Sequence, residues 1–285
     1  MLLGFILLIW IIQQLLICTS KSVKALLHDD GKTKSKPVDV EFVPSRIALY
    51  SLVIGEQYNF SRLSRNRLKY CKKFGLHHVP LRERNSSIPH PMWQKVWDAE
   101  RLLERFDWLW ILDADAAIMN GDVSVRSIID RYATSQSTNV LIGADDSTIN
   151  TGSMLLRKSH WTISLLRLIQ SYASNAEFLK ADKTLLRDQT ALVDILFYNY
   201  LNATDHIKII PRKYINSYTW DHLVKNDCSN FVMLNVLLKS FSSFEHQGVE
   251  YRKGDFILHG LGQAHETWRH YELYKYMTRR NLTEF

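Results

Sequence analysis

The chain has 285 residues, of which 46% are hydrophobic and 12% aromatic; this is enough apolar surface for one sizeable α/β domain, or a domain with appendages, and excludes a disordered protein. A net charge of +7 and a pI near 9.2 suit an anionic partner, be it nucleic acid, a membrane surface or a phosphorylated small molecule, but no basic cluster with interleaved aromatics resembles a nucleic-acid module. Nothing repeats at a fixed period, and three cysteines exclude both a disulfide framework and a cysteine-based zinc site.

Met1 to Cys18 is apolar but for Gln13 and Gln14, with Lys21 and Lys24 following, and reads as a membrane-targeting segment. Its length lies near the minimum for a span, so signal-anchor and cleaved signal peptide both stay open. The cations after it would, on charge bias alone, keep that flank cytosolic. Asp29 to Pro37 reads as a solvated linker. The division expected is 1–20 anchor or signal segment, 21–45 short stem, and 46–285 globular domain. Asn-x-Ser/Thr sequons at Asn59, Asn85, Asn202 and Asn281 fit passage through the secretory pathway. Besides Cys18 only Cys71 and Cys228 remain, and their pairing is left open.

Arg46 to Ile54 is a strand-type apolar run ended by Gly55. From Tyr58 to Phe74, Phe60, Leu63, Leu68 and Cys71 are spaced for a helix that Gly75 closes. Arg62, Arg65, Arg67, Lys69, Lys72 and Lys73 lie between them, a face that is ordinarily solvated but that also suits a nucleotide site at a sheet edge. His77 to Leu81 gives a second strand, followed by a polar loop. His90 to Leu103 is a helix with Met92, Val96, Ala99 and Leu103 on its apolar stripe. Lys95 on this helix could reach nucleotide phosphates or simply stay in water.

Trp108 to Asn120 is an apolar run that would make a buried strand carrying Asp113 and Asp115 on one face. Two adjacent carboxylates repel, so the pair is favourable with a cation between them, and a hard divalent ion is the natural guest. A turn or a helix cap is the structural alternative, since Asp is common at both.

A turn at Gly121-Asp122, a helix over Val123 to Tyr132 and a strand over Val140 to Ala144 come next. Asn150-Thr151-Gly152 is expected as a turn ahead of an apolar strand; Asn150 and Gly152 would suit sugar hydroxyls, or serve only the turn. Ser159 to Leu179 has the pattern of one long amphipathic helix, and Asp188-Gln189 opens another, with Asp188 either capping it or facing a ligand. His206 to Ile210 and Tyr214 to Asn216 are expected as short strands. Gly254 to Gln263 is a strand delivering His259 into a loop where Gly260 leaves room for phosphate oxygens. His259 is either a packing residue or, with Asp113 and Asp115, part of a mixed oxygen and nitrogen site of the kind manganese accepts.

In this order the motifs Trp93-x-Lys95, Leu112-Asp113-Ala114-Asp115-Ala116, Asn150-Thr151-Gly152-Ser153, Asp188-Gln189 and Phe256-Ile257-Leu258-His259-Gly260 resemble glycosyltransferase family 34. That family holds fungal α-galactosyl- and α-mannosyltransferases and plant xyloglucan α-xylosyltransferases. The resemblance runs from about Ile47 to Gln263.

It implies a GT-A fold with a mostly parallel α/β sheet, a nucleotide-sugar donor, a glycan acceptor, manganese and retention of anomeric configuration. It also implies a single-pass type II Golgi protein with residues 46–285 as a luminal catalytic domain, against the charge flank; association with itself or other glycosyltransferases is left open. Carried over, Asp113, Asp115 and His259 would ligate the metal, with Asp113 also facing the donor. Lys95, Asn150, Gly152 and Gly260 would contact the donor, and Asp188 and Gln189 would lie at the transferred sugar. The chain departs from the family where Gln263 replaces the usual cysteine of the last motif. The alternative reading is a catalytically silent member acting as a scaffold in a glycosyltransferase complex.

Overall fold

The computed structural model describes residues 45–54, 61–144, 149–181, 187–218 and 251–259. The apolar segment and linker, the sequons at Asn59 and Asn281, and Cys228, Gly260 and Gln263 lie outside the described residues. Among the described residues, no helix is long and apolar enough to cross a membrane.

The strands are β1 (Ile47–Leu52), β2 (His77–Leu81), β3 (Trp108–Leu112), β4 (Ala116–Ile118), β5 (Val140–Ala144), β6 (Ile149–Arg157), β7 (Ile207–Ile209), β8 (Ser217–Tyr218) and β9 (Ile257–His259). The helices are α1 (Ser61–Phe74), α2 (Pro91–Leu103), α3 (Val125–Tyr132), α4 (His160–Ala173), α5 (Ala176–Ala181), α6 (Asp188–Phe197) and the single turn α7 (Ala203–His206). A six-stranded sheet runs β2-β1-β3-β6-β5-β7, and a small second sheet runs β4-β9-β8. Only β6 opposes its neighbours in the large sheet, so the α/β class with a mostly parallel sheet is observed as expected.

The inner strands β1, β3, β5 and β6 are buried on both faces, which is why β1, β3 and β5 are mostly apolar runs, while the edge strands β2 and β7 carry exposed residues. Period-two alternation splits β3 between the two faces. Leu109 and Ile111 join Val96, Leu103, Leu165, Ile169 and Leu192 from α2, α4 and α6, while Trp108, Trp110 and Leu112 join Tyr70, Ile128 and Phe256 on the other side. Each such aliphatic side chain, fully buried, is worth roughly 1.5–3 kcal/mol of transfer free energy. Trp110 stacks on Phe256 with ring centroids 5.3 Å apart and donates through Nε1 to Ser153 Oγ at 3.1 Å. This packing seats Phe256 directly before β9, and so fixes the strand that carries His259.

α2 starts where it should: the His90 ring nitrogen Nδ1 accepts from Met92 N at 3.2 Å and Pro91 occupies the first turn, where a missing N–H costs nothing. Elsewhere the local expectations need correction. β3 stops at Leu112, and Asp113-Ala114-Asp115 form a turn closed by Ala116 N donating to Asp113 O at 3.1 Å, so strand alternation is not what aligns the two carboxylates. Asn150-Thr151-Gly152 is part of β6 rather than a turn before it, because Asn150 pairs with Gly143 of β5, across a register shift that leaves 151–153 of β6 outside that pairing, and Gly152 O accepts from Asp113 N at 2.7 Å. The long helix over Ser159 to Leu179 is two helices, since Asn175 Oδ1 caps a fresh start by accepting from Phe178 N. Tyr214 to Asn216 is not a strand: Arg212–Tyr214 form a 3-10 turn after Pro211, which has no N–H to give a ladder.

Candidate active site

The carboxyl end of β3 meets the start of β6, because β6 runs the other way and pairs Leu112 with Ser153. That register sets Asp113 beside Gly152, at the edge where open α/β sheets bind ligands. β9 crosses next to it, pairing His259 with Ala116. The turn between β3 and β4 and the distant β9 thereby bring one ligand atom each from Asp113, Asp115 and His259 within 4.8 Å of one another. His259 Nε2 lies 3.2 Å from Asp115 Oδ1. Two carboxylate oxygens and an imidazole nitrogen form a donor set that suits a divalent cation of the manganese kind. Burial works against the charged His259 ring, but Asp115 and Asp113 outweigh it and hold its pKa above the ordinary histidine value.

Lys95 is 6% exposed, which overturns its reading as a solvated lysine. Its Nζ lies 3.0 Å from Asp188 Oδ2, 3.4 Å from Asp113 Oδ1 and 3.3 Å from Thr151 Oγ1. Burial opposes its charge, yet the two carboxylates prevail and raise its pKa above the usual lysine value. Asp188 is also buried, at the first position of α6 after Arg187, which is the residue at the cap. Burial pushes its carboxyl above the ordinary range, with Lys95 opposing and Asp113 adding to the effect. A lysine between two carboxylates thus links the metal-type cluster to the start of α6. On α2, one turn from Lys95, Asp98 accepts from Tyr50 OH at 2.8 Å, which ties α2 to β1 and holds Lys95 at this height.

Gln189 Oε1 accepts from Thr151 N at 3.3 Å. Asn150 Oδ1 accepts from Gly152 N at 2.8 Å and from Asn216 Nδ2 at 2.9 Å, so this oxygen is engaged by the protein itself. Gly152 is required sterically: a Cβ there would lie 2.1 Å from His259 Cε1. All the sequence-predicted site residues therefore gather at this edge except Gly260, which lies outside the described residues.

Three contributors were not singled out from sequence. Thr151 and Asn216 sit within or beside expected motifs without a distinguishing feature. Arg67 belongs to the supposedly solvated face of α1, yet it is 2% exposed and donates through Nη2 to the carbonyls of Asp113, Ala114 and Ala116. Burial pulls its pKa down to about 10, with Asp115 and Asp113 opposing, so it is a cation at neutral pH. One arginine among six cations in a short helix carries no sequence mark of this role.

The model of the galactosyl transferase GMA12/MNN10 family matches residues 50–133 and 128–264. No curated protein sequence matches the chain. Among solved structures, a glycosyltransferase involved in the glycosylation of the major capsid of PBCV-1 is 13% identical and aligns over 81% of this chain and 99% of its own, with a TM-score of 0.56. The galactosyltransferase LgtC, solved with donor and acceptor sugar analogues, is 10% identical over 83% of this chain and 95% of its own, with a TM-score of 0.46. At such identities the first likeness establishes a common fold, the GT-A arrangement expected from the sequence. The family match spans most of the chain, and the protein is a glycosyltransferase of the galactosyl transferase GMA12/MNN10 family.

Proposed function

We propose that the protein is a retaining, manganese-dependent α-glycosyltransferase that moves a sugar from a nucleotide sugar to a glycan acceptor. Galactose is the first choice of sugar, with mannose and xylose as alternatives, on family membership. Its setting would be the Golgi lumen, with residues 1–20 as anchor, a placement supported by the apolar segment and the sequons. The observation that carries the reading is the convergence of Asp113, Asp115 and His259 beside the buried Lys95–Asp188 pair.

A divalent ion held by Asp113, Asp115 and His259 would supply charge stabilisation to the nucleoside diphosphate as it leaves. Lys95 contributes a fixed positive charge at the same edge, already oriented by two carboxylates. Asp188 is tied to that ammonium, which makes it a weak candidate for a free covalent nucleophile. The acceptor hydroxyl therefore attacks the anomeric carbon from the face the diphosphate vacates, and its proton passes to the leaving oxygen. Asn150, Gly152 and Gln189 line the start of β6 and α6 where the sugar would lie.

The test is an assay of the full chain with UDP-galactose, UDP-xylose, UDP-glucose and GDP-mannose, each with Mn2+ or EDTA and a panel of acceptor glycans. Acceptor-dependent release of nucleoside diphosphate from one donor, abolished by EDTA and in Asp115→Ala, is expected. Release without an acceptor would indicate a sugar-nucleotide hydrolase. No release from any donor by the folded protein would overturn the reading in favour of a silent scaffold.

A further inference from the structure

α1 turns two consecutive side chains toward the turn between β3 and β4. Arg67 Nη2 stands 2.6 Å from Asp113 O, 3.0 Å from Ala114 O and 2.7 Å from Ala116 O. Asn66 beside it acts as a strand partner for β4, donating through Nδ2 to Ile118 O at 2.8 Å and accepting at Oδ1 from Ile118 N at 2.9 Å. The turn and the strand after it are thus fastened to α1 by side chains. This matters because Asp113 and Asp115 carry like charges on a three-residue turn, which by themselves would push its ends apart. All three carbonyls converge on the one nitrogen Nη2, which the rigid guanidinium plane holds at a fixed place, whereas an ammonium on a shorter, flexible stem is not held there.

We propose that Arg67 is a positioning residue for the cation site: by holding the carbonyls of Asp113, Ala114 and Ala116 it fixes the spacing of the Asp113 and Asp115 carboxylates, and through it the affinity for a divalent ion. This rests on the reading of Asp113, Asp115 and His259 as metal ligands. Position and charge make opposite forecasts here. A buried cation behind the turn repels an incoming ion, so removal of its charge alone would tighten binding, whereas loss of its grip on the turn loosens it. Arg67→Lys keeps the charge and gives up the rigid placement of Nη2; Arg67→Met gives up both.

The experiment measures binding of Mn2+ alone to the full-length chain in detergent, by titration with electron paramagnetic resonance detection of the free ion. Wild type, Arg67→Lys, Arg67→Met and Asn66→Ala are compared with Leu165→Ala, a core variant on the opposite face of the large sheet. Both Arg67 variants are expected to weaken Mn2+ binding by about 10- to 100-fold, as loss of a ligand-orienting partner does. Asn66→Ala weakens it less, and Leu165→Ala leaves it at the wild-type value. In turnover, the Mn2+ concentration for half-maximal rate rises in Arg67→Lys while kcat at saturating Mn2+ stays near wild type.

Unchanged affinity in Arg67→Lys, or tighter binding in Arg67→Met, overturns the positioning role and leaves only a charge effect. Equal losses in Leu165→Ala overturn it too, as a consequence of stability alone. Where neither Arg67 variant folds, Asn66→Ala decides, and wild-type affinity there overturns the proposal. Failure of the wild type itself to bind Mn2+ is a different result: it removes the metal reading, and this inference with it.

Discussion

The imidazole of His259 rests directly on the backbone of Gly152, so closely that a Cβ on that glycine would stand 2.1 Å from Cε1 and 2.8 Å from Nδ1. Neither side has room to yield. At Gly152 the backbone is held by Asp113 N donating to Gly152 O at 2.7 Å, next to the pairing of Ser153 with Leu112, and His259 is held on β9 by pairing with Ala116. Gly152→Ala is therefore expected to destabilise the protein by about 1–3 kcal/mol, as overpacking does, and to weaken Mn2+ binding by turning the ring. Urea unfolding with an Mn2+ titration checks both, and unchanged values in the two would mean that the ring swings aside freely.

Lys95→Met leaves Asp188 and Asp113 without the cation they share. Breaking a buried pair from one side costs about 3–5 kcal/mol. The wild-type Lys95 pKa lies above its ordinary value, so its contribution is fully present below that value and lost as pH rises through the folded pKa. In the variant the Asp188 carboxyl rises further, and the folded state takes up a proton there before the unfolded chain does. The stability gap between variant and wild type should thus narrow from neutral pH toward the ordinary carboxylate range, measured by urea unfolding at a series of pH values. A gap that stays constant would show that Asp188 does not feel Lys95.

Cys71 is a free thiol on the buried face of α1, and burial pushes its pKa up to about 12, with Arg67 opposing. At about pH 8 the native thiol should resist iodoacetamide while the urea-unfolded chain reacts, because the thiolate is the reactive form. Above the ordinary thiol value the unfolded state loses its proton while the folded state keeps it, so this group lowers stability as pH rises through that window. Peptide mass spectrometry after alkylation reports the first point; rapid native labelling at Cys71 would contradict the buried placement.

Removal of divalent ions should lower the melting temperature, and Mn2+ should restore it, since a ligand that binds only the folded state stabilises it by mass action. At about 100-fold excess over Kd the gain is about 2.7 kcal/mol. Asp115→Ala should melt at one temperature with Mn2+ or EDTA. A wild-type melting curve indifferent to both would argue against the site.

Much of this arrangement is legible in residue order. The apolar runs at Ile47, Trp108 and Val140 are strands because both faces of the sheet are covered, and a covered strand has no need of polar alternation. The stripe of Val96, Ala99 and Leu103 gave α2 for the same reason of burial. Local signals failed where a distant element decided. Asn150-Thr151-Gly152 has turn chemistry, but the pairing of Asn150 with Gly143 of β5 and the bond from Asp113 N to Gly152 O hold it as strand. Asp113 and Asp115 do share a site, though across a turn that Arg67 organises from a helix 46 residues earlier in the chain.

The sequence by itself determined the α/β class, the order of elements and the chemical types gathered for the site: two acids, an imidazole, an acid–amide pair at a helix start and a glycine. Tertiary structure alone decided which of the charged residues leave water. Lys95 and Arg67 look like their exposed neighbours, and they are buried because carboxylates and carbonyls from other elements wait for them. The desolvation cost of a cation is offset only by partners in place around it, and those partners lie on elements whose nearness the sheet topology sets. His259 meets Asp115 across 144 residues for that reason.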